Sequence, residues 1–395
     1  MQEIVILSAA RTPIGAFQGA FGGLPAPQLG AAALAGAIER AGVGPEQLEQ
    51  VYMGNVLTAG VGQAPARQAT LAAGCPPATG AVTVGKVCGS GMRAVMTAAN
   101  DLRCGDYSLV AAGGMESMSR APYLVPAARD GLRLGHGELT DSMIHDGLWD
   151  PYGDVHMGSC AETCVAEYGF SREEQDAYSL ASYQRARAAA ESGAVADEIV
   201  PVEVPRRKKE PLVVDRDEEP FRVDLERIAG LRPAFKKDGT VTAGNASKIN
   251  DGAAALVLTT AEQASELGAT PMARLVAQAS VAQEPEWFTT APILAARKVL
   301  ARAGLETADI DLWEVNEAFA AVAMAFLRDL ELSPEVVNTR GGAVALGHPI
   351  GCSGARILVT LLHALRERRA RRGCAAICLG GGEATAVVVE SLGGS

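Results

Sequence analysis

Aromatic side chains are scarce in this sequence, 5% of 395 residues, whereas Gly alone occurs 44 times. Such a chain packs small residues closely and turns tightly. Positive charge is also short: 35 Lys and Arg face 46 Asp and Glu, a net charge of −11. Nucleic acid demands a basic surface, so general nucleic-acid binding is excluded. A single basic pocket for a phosphorylated cofactor is not, and Arg206-Arg207-Lys208-Lys209 is the local exception, read here as a solvated loop. No apolar run reaches roughly 18 residues, so no membrane span is expected. The eight Cys form no C-x-x-C pair, and Cys160/Cys164 and Cys374/Cys378 lack the His neighbours of a zinc site. The strand-like run Glu3 to Ser8 begins so near Met1 that no targeting leader is expected. Free thiols in a reducing cytoplasm follow as the expectation.

What is present is ordinary globular composition, 48% hydrophobic, long enough for about two to three domains' worth of core. Short β-rich runs alternate with Ala-rich helical stretches, the pattern of an α/β fold with buried strands. The chain also repeats itself. Arg40-Ala41-Gly42 after a helical stretch, then Val51-Tyr52-Met53-Gly54-Asn55, is echoed by Arg302-Ala303-Gly304 and Leu312-Trp313-Glu314-Val315-Asn316. Gly89-Ser90-Gly91-Met92-Arg93 has its counterpart in Gly351-Cys352-Ser353-Gly354-Ala355-Arg356, and Leu109 to Gly114 in Ala376 to Gly381. The offset is roughly 260 residues each time, which implies two similar α/β halves separated by an insertion. The insertion, 118–250, is rich in charge and turn signals. Its one strong helix runs from Arg172 towards Gly193, with Ser171 as N-cap and Glu174 completing a capping box.

Four places carry chemistry. Cys88 stands where an extended run meets Gly89-Ser90-Gly91 and a helix begins, a position that resembles a nucleophile elbow in kind and should favour a thiolate. A lone cysteine there also reads as core packing. His348, within Gly347-His348-Pro349-Ile350-Gly351, is held extended by Pro349 and can deprotonate a thiol or steady an oxyanion. Cys378 precedes Gly380-Gly381-Gly382, whose backbone N–H groups are free to meet a developing negative charge. Asn316, in Asn316-Glu317-Ala318-Phe319, can orient a water or an oxyanion.

Taken together, Cys88 to Ala94, Asn316 to Phe319, Gly347 to Gly351 and Cys378 to Gly382 resemble the signature set of the thiolase family, in its order and spacing over essentially the whole chain. His156 to Glu162, Thr240 to Ser247 and Asn250 to Ala255 look most like its acetyl-CoA C-acetyltransferase branch, of biosynthetic and mitochondrial type. The resemblance implies an α/β/α/β/α layered arrangement of duplicated halves: 1–117 (with part of 251–269 packing back on it), the CoA-binding and tetramerising loop insertion 118–250, and 270–395. It implies ping-pong condensation of two acetyl-CoA to acetoacetyl-CoA, and thiolysis in reverse. Cys88 is acylated, His348 activates it, and Asn316 with His348 forms one oxyanion site through a water. Cys378 moves the α-proton, and the N–H groups of Cys88 and Gly380 form the second site. Leu148, His156, Met157, Arg222, Arg227, Ala243, Ser247, Phe288, Ala318 and Phe319 are implied to line the CoA and pantetheine groove. Potassium is implied at Tyr183 and the carbonyls of Ala243, Gly244, Ala246 and Val344. No tightly bound cofactor and a homotetramer, a dimer of dimers, complete the expectation. Glu383 departs from the bacterial pattern and Phe288 from its Met. A degradative 3-ketoacyl-CoA thiolase, a decarboxylating ketoacyl synthase (disfavoured by Asn316 in place of a second His) and a non-catalytic CoA-binding protein are the rivals.

Overall fold

The computed structural model describes residues 2–393. Its centre is a ten-stranded sheet. The principal strands are β1 (Ile4–Arg11), β2 (Gln50–Gly54), β3 (Gly80–Val84), β4 (Leu109–Ser117), β5 (Asn250–Thr260), β6 (Ala273–Ala282), β7 (Leu312–Val315), β8 (Arg372–Leu379) and β9 (Glu383–Ser391). Their spatial order is β7-β8-β9-β6-β1-β5-β4-β2-β3, with Gly15–Ala16 beside β5.

The duplication is visible in the ladders. In one half β1/β5 and β5/β4 are antiparallel, while β4/β2 and β2/β3 are parallel. In the other, β6/β9 and β9/β8 are antiparallel and β8/β7 is parallel. A single parallel bridge from Trp313 to Val337 stands where β3 stands in the first half. The halves meet through two antiparallel pairs, Val5–Arg274 and Ile6–Ala273, so the sheet is two smaller sheets joined at β1 and β6.

Helices fill the remaining layers: α1 (Ala26–Ala41), α2 (Ser90–Cys104), α3 (Met157–Tyr168), α4 (Arg172–Glu191), α5 (Ala291–Ala303), α6 (Ala320–Asp329) and α7 (Ile350–Arg368). Strand alternation sorts side chains between layers. Ile4 and Ile6 of β1 pack with Met92, Val95 and Leu102 of α2 and with Ile357 and Leu361 of α7, against Ile377 and Val387 of the second half. Val5 and Leu7 point the other way, to Leu29, Leu34 and Ile38 of α1. Ala277, Ala279 and Val388 pack outward on Val299 of α5. The order is therefore α/β/α/β/α, with α2 and α7 in the middle. From Ile350 to Leu365 every residue of α7 is buried, as a helix packed on both sides requires.

The insertion carries Ser171 and Glu174 as a formed capping box on α4, and Gly193 follows the helix with φ 77°. It also contains a second helix, α3, in a segment with little helical signal: Gly158, Ser159, Cys160 and Thr163 are weak helix formers, and tertiary packing overrides them. Arg206 to Lys209 turn an exposed two-stranded ribbon. A buried ionic knot fastens the insertion to both halves. Glu198 pairs with Arg11 at 2.8 Å and with Arg340 at 3.1 Å, and Asp217 holds Arg11 at 2.7 Å. Removing one member of such a buried set costs about 3–5 kcal/mol.

Candidate active site

Cys88 is presented by a strained turn. After β3 the chain reaches Val87, whose φ of 42° is costly for a β-branched residue. Ser90 pins that turn, its Oγ donating to the Val87 carbonyl at 2.6 Å and accepting from the Lys86 N–H at 2.8 Å. α2 starts immediately afterwards. Its first turn crosses the first turn of α7 with backbones almost touching: a Cβ at Gly91 would lie 2.9 Å from the Ala355 nitrogen, and one at Gly354 would lie 2.6 Å from the Met92 nitrogen. These contacts bring Cys88, before α2, close to His348, before α7.

His348 is fixed from both sides. Its N–H donates to the Lys248 carbonyl at 3.2 Å and to Asn250 Oδ1 at 3.1 Å. Its Nδ1 lies 2.6 Å from Ser353 Oγ, which itself donates to the Pro349 carbonyl at 3.0 Å. A hydroxyl has one proton to give, so Ser353 accepts from Nδ1–H and the lone pair of the imidazole is at Nε2. Asn316 Nδ2 lies 3.5 Å from that Nε2, and Asn316 Oδ1 is buried with no protein partner. Asn316 follows β7 and Cys378 is near the end of the parallel neighbour β8, so both emerge at strand carboxyl ends, where α/β sheets place ligands.

Burial sets the protonation states. It pushes the His348 imidazole down to about 3, with Arg356 adding to the effect, so the ring is neutral at any physiological pH. It pushes the Cys88 thiol up to about 12, against the backbone N–H groups of Gly380 and Cys88, which favour the thiolate; Glu116 reinforces burial. The sequence had suggested a thiol lowered by the helix N-terminus, and desolvation outweighs that here. Cys378 stands well above the ordinary thiol range, through burial and then the neighbouring Cys88. Both thiols rest protonated, and Cys88 shares its cavity with a neutral imidazole.

A cavity of about 270 Å³ opens on Cys88, His348 and Gly380. Leu148, His156, Met157, Ser247, Phe288, Ala318 and Phe319 all line it. Asn316 and Cys378 are buried behind the wall, while Arg222 and Arg227 are on the exposed surface and Ala243 is also exposed. Phe235, Met118 and Ile350 line the cavity and had not been singled out. Phe235 stacks on His156 at 4.7 Å and meets Phe319 edge-on at 6.0 Å, a contact between segments that no local motif signals. Ser353, which sets the His348 tautomer, lies five residues along, two past the end of the Gly347–Gly351 motif.

Two features alter the expected picture. Glu383 pairs with Lys86, joining the turn before Cys88 to the strand after Gly380-Gly381-Gly382. The carbonyls expected to hold potassium face a cation that belongs to the chain: Lys248 Nζ donates to Ala243 at 2.6 Å, Ala246 at 3.0 Å and Val344 at 3.5 Å. Tyr183 offers that ammonium its ring face at 5.6 Å, and its hydroxyl has no partner. These residues do not fit a potassium ion while Lys248 is among them. Among the described residues no cluster of His, Cys, Asp or Glu suits a metal.

Comparison with known proteins agrees with this geometry. The family models described as Thiolase, N-terminal domain and Thiolase, C-terminal domain match residues 4–262 and 269–391. An acetyl-CoA acetyltransferase of Pseudomonas aeruginosa is 50% identical over 98% of this chain and 99% of its own length. Acetyl-CoA acetyltransferase 2 of Arabidopsis thaliana is 51% identical over 99% of this chain and 98% of its own. The crystal structure of the Bacillus anthracis acetyl-CoA acetyltransferase superposes with a TM-score of 0.97 at 42% identity, covering 99% of both chains. A thiolase of Ascaris suum in complex with coenzyme A superposes with a TM-score of 0.94 at 44% identity, over 99% of this chain and 100% of that one.

Proposed function

This chain belongs to the thiolase family, and from that premise we propose that it is an acetyl-CoA C-acetyltransferase. It joins two acetyl-CoA into acetoacetyl-CoA and free CoA, and catalyses the reverse thiolysis. The observation that carries this reading is the convergence of the Cys88 thiol, a neutral imidazole and the N–H groups of Cys88 and Gly380 at one apolar cavity, with the Cys378 thiol behind its wall next to Cys88.

In the first half-reaction His348 Nε2 accepts the Cys88 proton as the sulfur attacks the thioester carbon, and returns it to the departing CoA sulfur. A thiol that sits at about 12 is a poor nucleophile until its proton moves, and the neutral imidazole lining the same cavity supplies the acceptor. The tetrahedral oxygen is met by His348 and by a water oriented on the unpartnered Asn316 amide. In the second half-reaction Cys378, its own proton passed first to the neutral His348, removes the α-proton of a second acetyl-CoA, and the carbanion attacks acetyl-Cys88, whose oxygen lies at the Cys88 and Gly380 N–H groups. The Cys88 thiolate released as its C–S bond breaks takes the proton held on His348, so both thiols and the imidazole end as they began.

Substrate is CoA-bound. Leu148, His156, Met157, Ser247, Ala318 and Phe319 hold the pantetheine arm, with Arg222, Arg227 and Ala243 further out along the groove. A cavity this small, narrowed by Phe288 packed 6.2 Å from Phe319, favours short acyl groups. The division into 1–117, 118–250 and 270–395, action in the cytoplasm and a homotetramer belong to the same reading. Exposed Val125, Leu132, Leu134 and Leu139 give the loop 124–142 the apolar surface that pairing of dimers needs. No described helix is long and apolar enough to cross a membrane.

The test is loss of acetoacetyl-CoA absorbance on adding CoA. Fast loss that disappears in Cys88→Ala supports the reading. Cleavage confined to 3-ketohexanoyl-CoA and longer substrates would move the chain to the degradative class, and inertness at every chain length would leave a binding protein.

A further inference from the structure

Lys248 lies between the two segments that meet at the cavity. Its side chain reaches the carbonyls of Ala243 and Ala246, on the loop that presents Ser247 to the cavity, and that of Val344, in the short helix Ala343–Leu346 that leads to His348. Its own carbonyl accepts the His348 N–H at 3.2 Å. Ser247 is held in turn by the Ala318 carbonyl at 3.0 Å. One residue thus ties the ligand-facing loop, the helix before the imidazole and the imidazole's backbone together.

The carbonyl of Val344 lies in the last turn of a four-residue helix, where carbonyls lack intrahelical partners and a positive charge is favoured. Burial lowers the Lys248 ammonium to about 8, with Glu219 opposing. A charge taken so far from water stays only because oxygen atoms surround it. A monovalent cation at the same carbonyls would sit within a few ångströms of that ammonium. At about 4 Å two unit charges repel by about 4 kcal/mol even at an effective dielectric of 20, and each carbonyl already accepts from Lys248.

We infer that Lys248 is a built-in cation, a positioning residue that orders loop 243–247 and the His348 segment and makes the chain independent of a bound monovalent cation. It lines the cavity beside Ser247 as well, and it acts on the reaction through the loop and His348. The activity arm of the test rests on the proposed function; the binding and scattering arms do not.

Three forms are compared in choline chloride and in potassium chloride: wild type, Lys248→Ala, which empties the cradle, and Lys248→Met, which fills it without charge. Wild type is expected to show the same CoA affinity, thiolysis rate and unfolding temperature in both salts. Lys248→Ala is expected to bind CoA roughly tenfold more weakly in choline, from the loss of charged hydrogen bonds, and to regain affinity and unfolding temperature in potassium. Lys248→Met is expected to stay weak in both. Crystals soaked in thallium(I) should show anomalous scattering at the carbonyls of Ala243, Ala246 and Val344 in Lys248→Ala and none in wild type. Saturable potassium activation of wild type, thallium at those carbonyls in wild type, or a Lys248→Met variant that binds CoA as wild type does would each overturn the inference. Absence of thiolysis in every form, with CoA affinity and thallium behaving as expected, would count against the proposed reaction and leave the built-in cation supported.

Discussion

Ser353→Ala isolates the one contact that decides which nitrogen of His348 can take a proton. In the wild type Nδ1 lies 2.6 Å from Ser353 Oγ, and that oxygen spends its own proton on the Pro349 carbonyl. Alanine nearly matches serine in volume, so packing is little disturbed. The imidazole then has two choices. It can keep its proton on Nδ1, leaving a buried N–H without an acceptor at a cost of about 1–3 kcal/mol. Or it can move the proton to Nε2, which removes the acceptor that Cys88 needs. Either way the productive state is higher by about that amount, and at 1.36 kcal/mol per decade the acylation rate falls by roughly ten- to a hundredfold. The assay is single-turnover release of CoA from acetyl-CoA, alongside alkylation of Cys88 by iodoacetamide. Both should slow together, while CoA affinity, set by the cavity walls and not by the tautomer, should hold. An acylation rate within about twofold of wild type, with the same unfolding temperature, would refute the argument that Ser353 sets the tautomer.

Alkylation of Cys88 should climb steadily from neutral pH to beyond pH 9, because burial has raised the thiol to about 12 and each step in pH enlarges the thiolate fraction; a plateau near pH 7 would show the thiol to be lowered instead. The same profile should show no inflection from His348 in that range, since its ring is held at about 3. Glu383→Gln should leave the unfolding temperature within a few degrees, because the Lys86–Glu383 pair is 23% and 38% exposed and such pairs contribute at most about 1 kcal/mol; a loss much larger than that would make the pair a structural clasp. Phe288→Ala, which removes a ring packed on Phe319, should raise the rate on 3-ketohexanoyl-CoA relative to acetoacetyl-CoA, read as the ratio of kcat/KM values; an unchanged ratio would clear Phe288 of setting chain length.

What the sequence showed and what it hid divide along a physical line. The duplicated halves were legible because each rests on strand and helix patterns of local period, repeated at one offset: β2 and β7, α2 and α7, β4 and β8 fall where Val51 to Gly54, Leu312 to Val315 and their companions had put them. Cys88, His348 and Cys378 were legible because each sits near the end of a strand or the start of a helix, where glycine or proline marks the turn, whereas Asn316 was legible only as part of the family's motif set. Helix α3 was not, since its stability comes from burying Cys160, Ala161 and Cys164 rather than from propensity. Nor were Phe235 on His156 or Glu383 on Lys86, contacts across 79 and 297 residues that depend on how the insertion and the two halves close over one another. Lys248 is the clearest case. In the sequence it is one charge after Ala246-Ser247, unremarked beside residues that match a family pattern. Its meaning appears only when the Val344 carbonyl, 96 residues away, is brought within 3.5 Å of its ammonium. A pattern carried over residue by residue named three of the oxygens that Lys248 reaches and not Lys248 itself, because the side chain that fills a site need not be among the residues that define it.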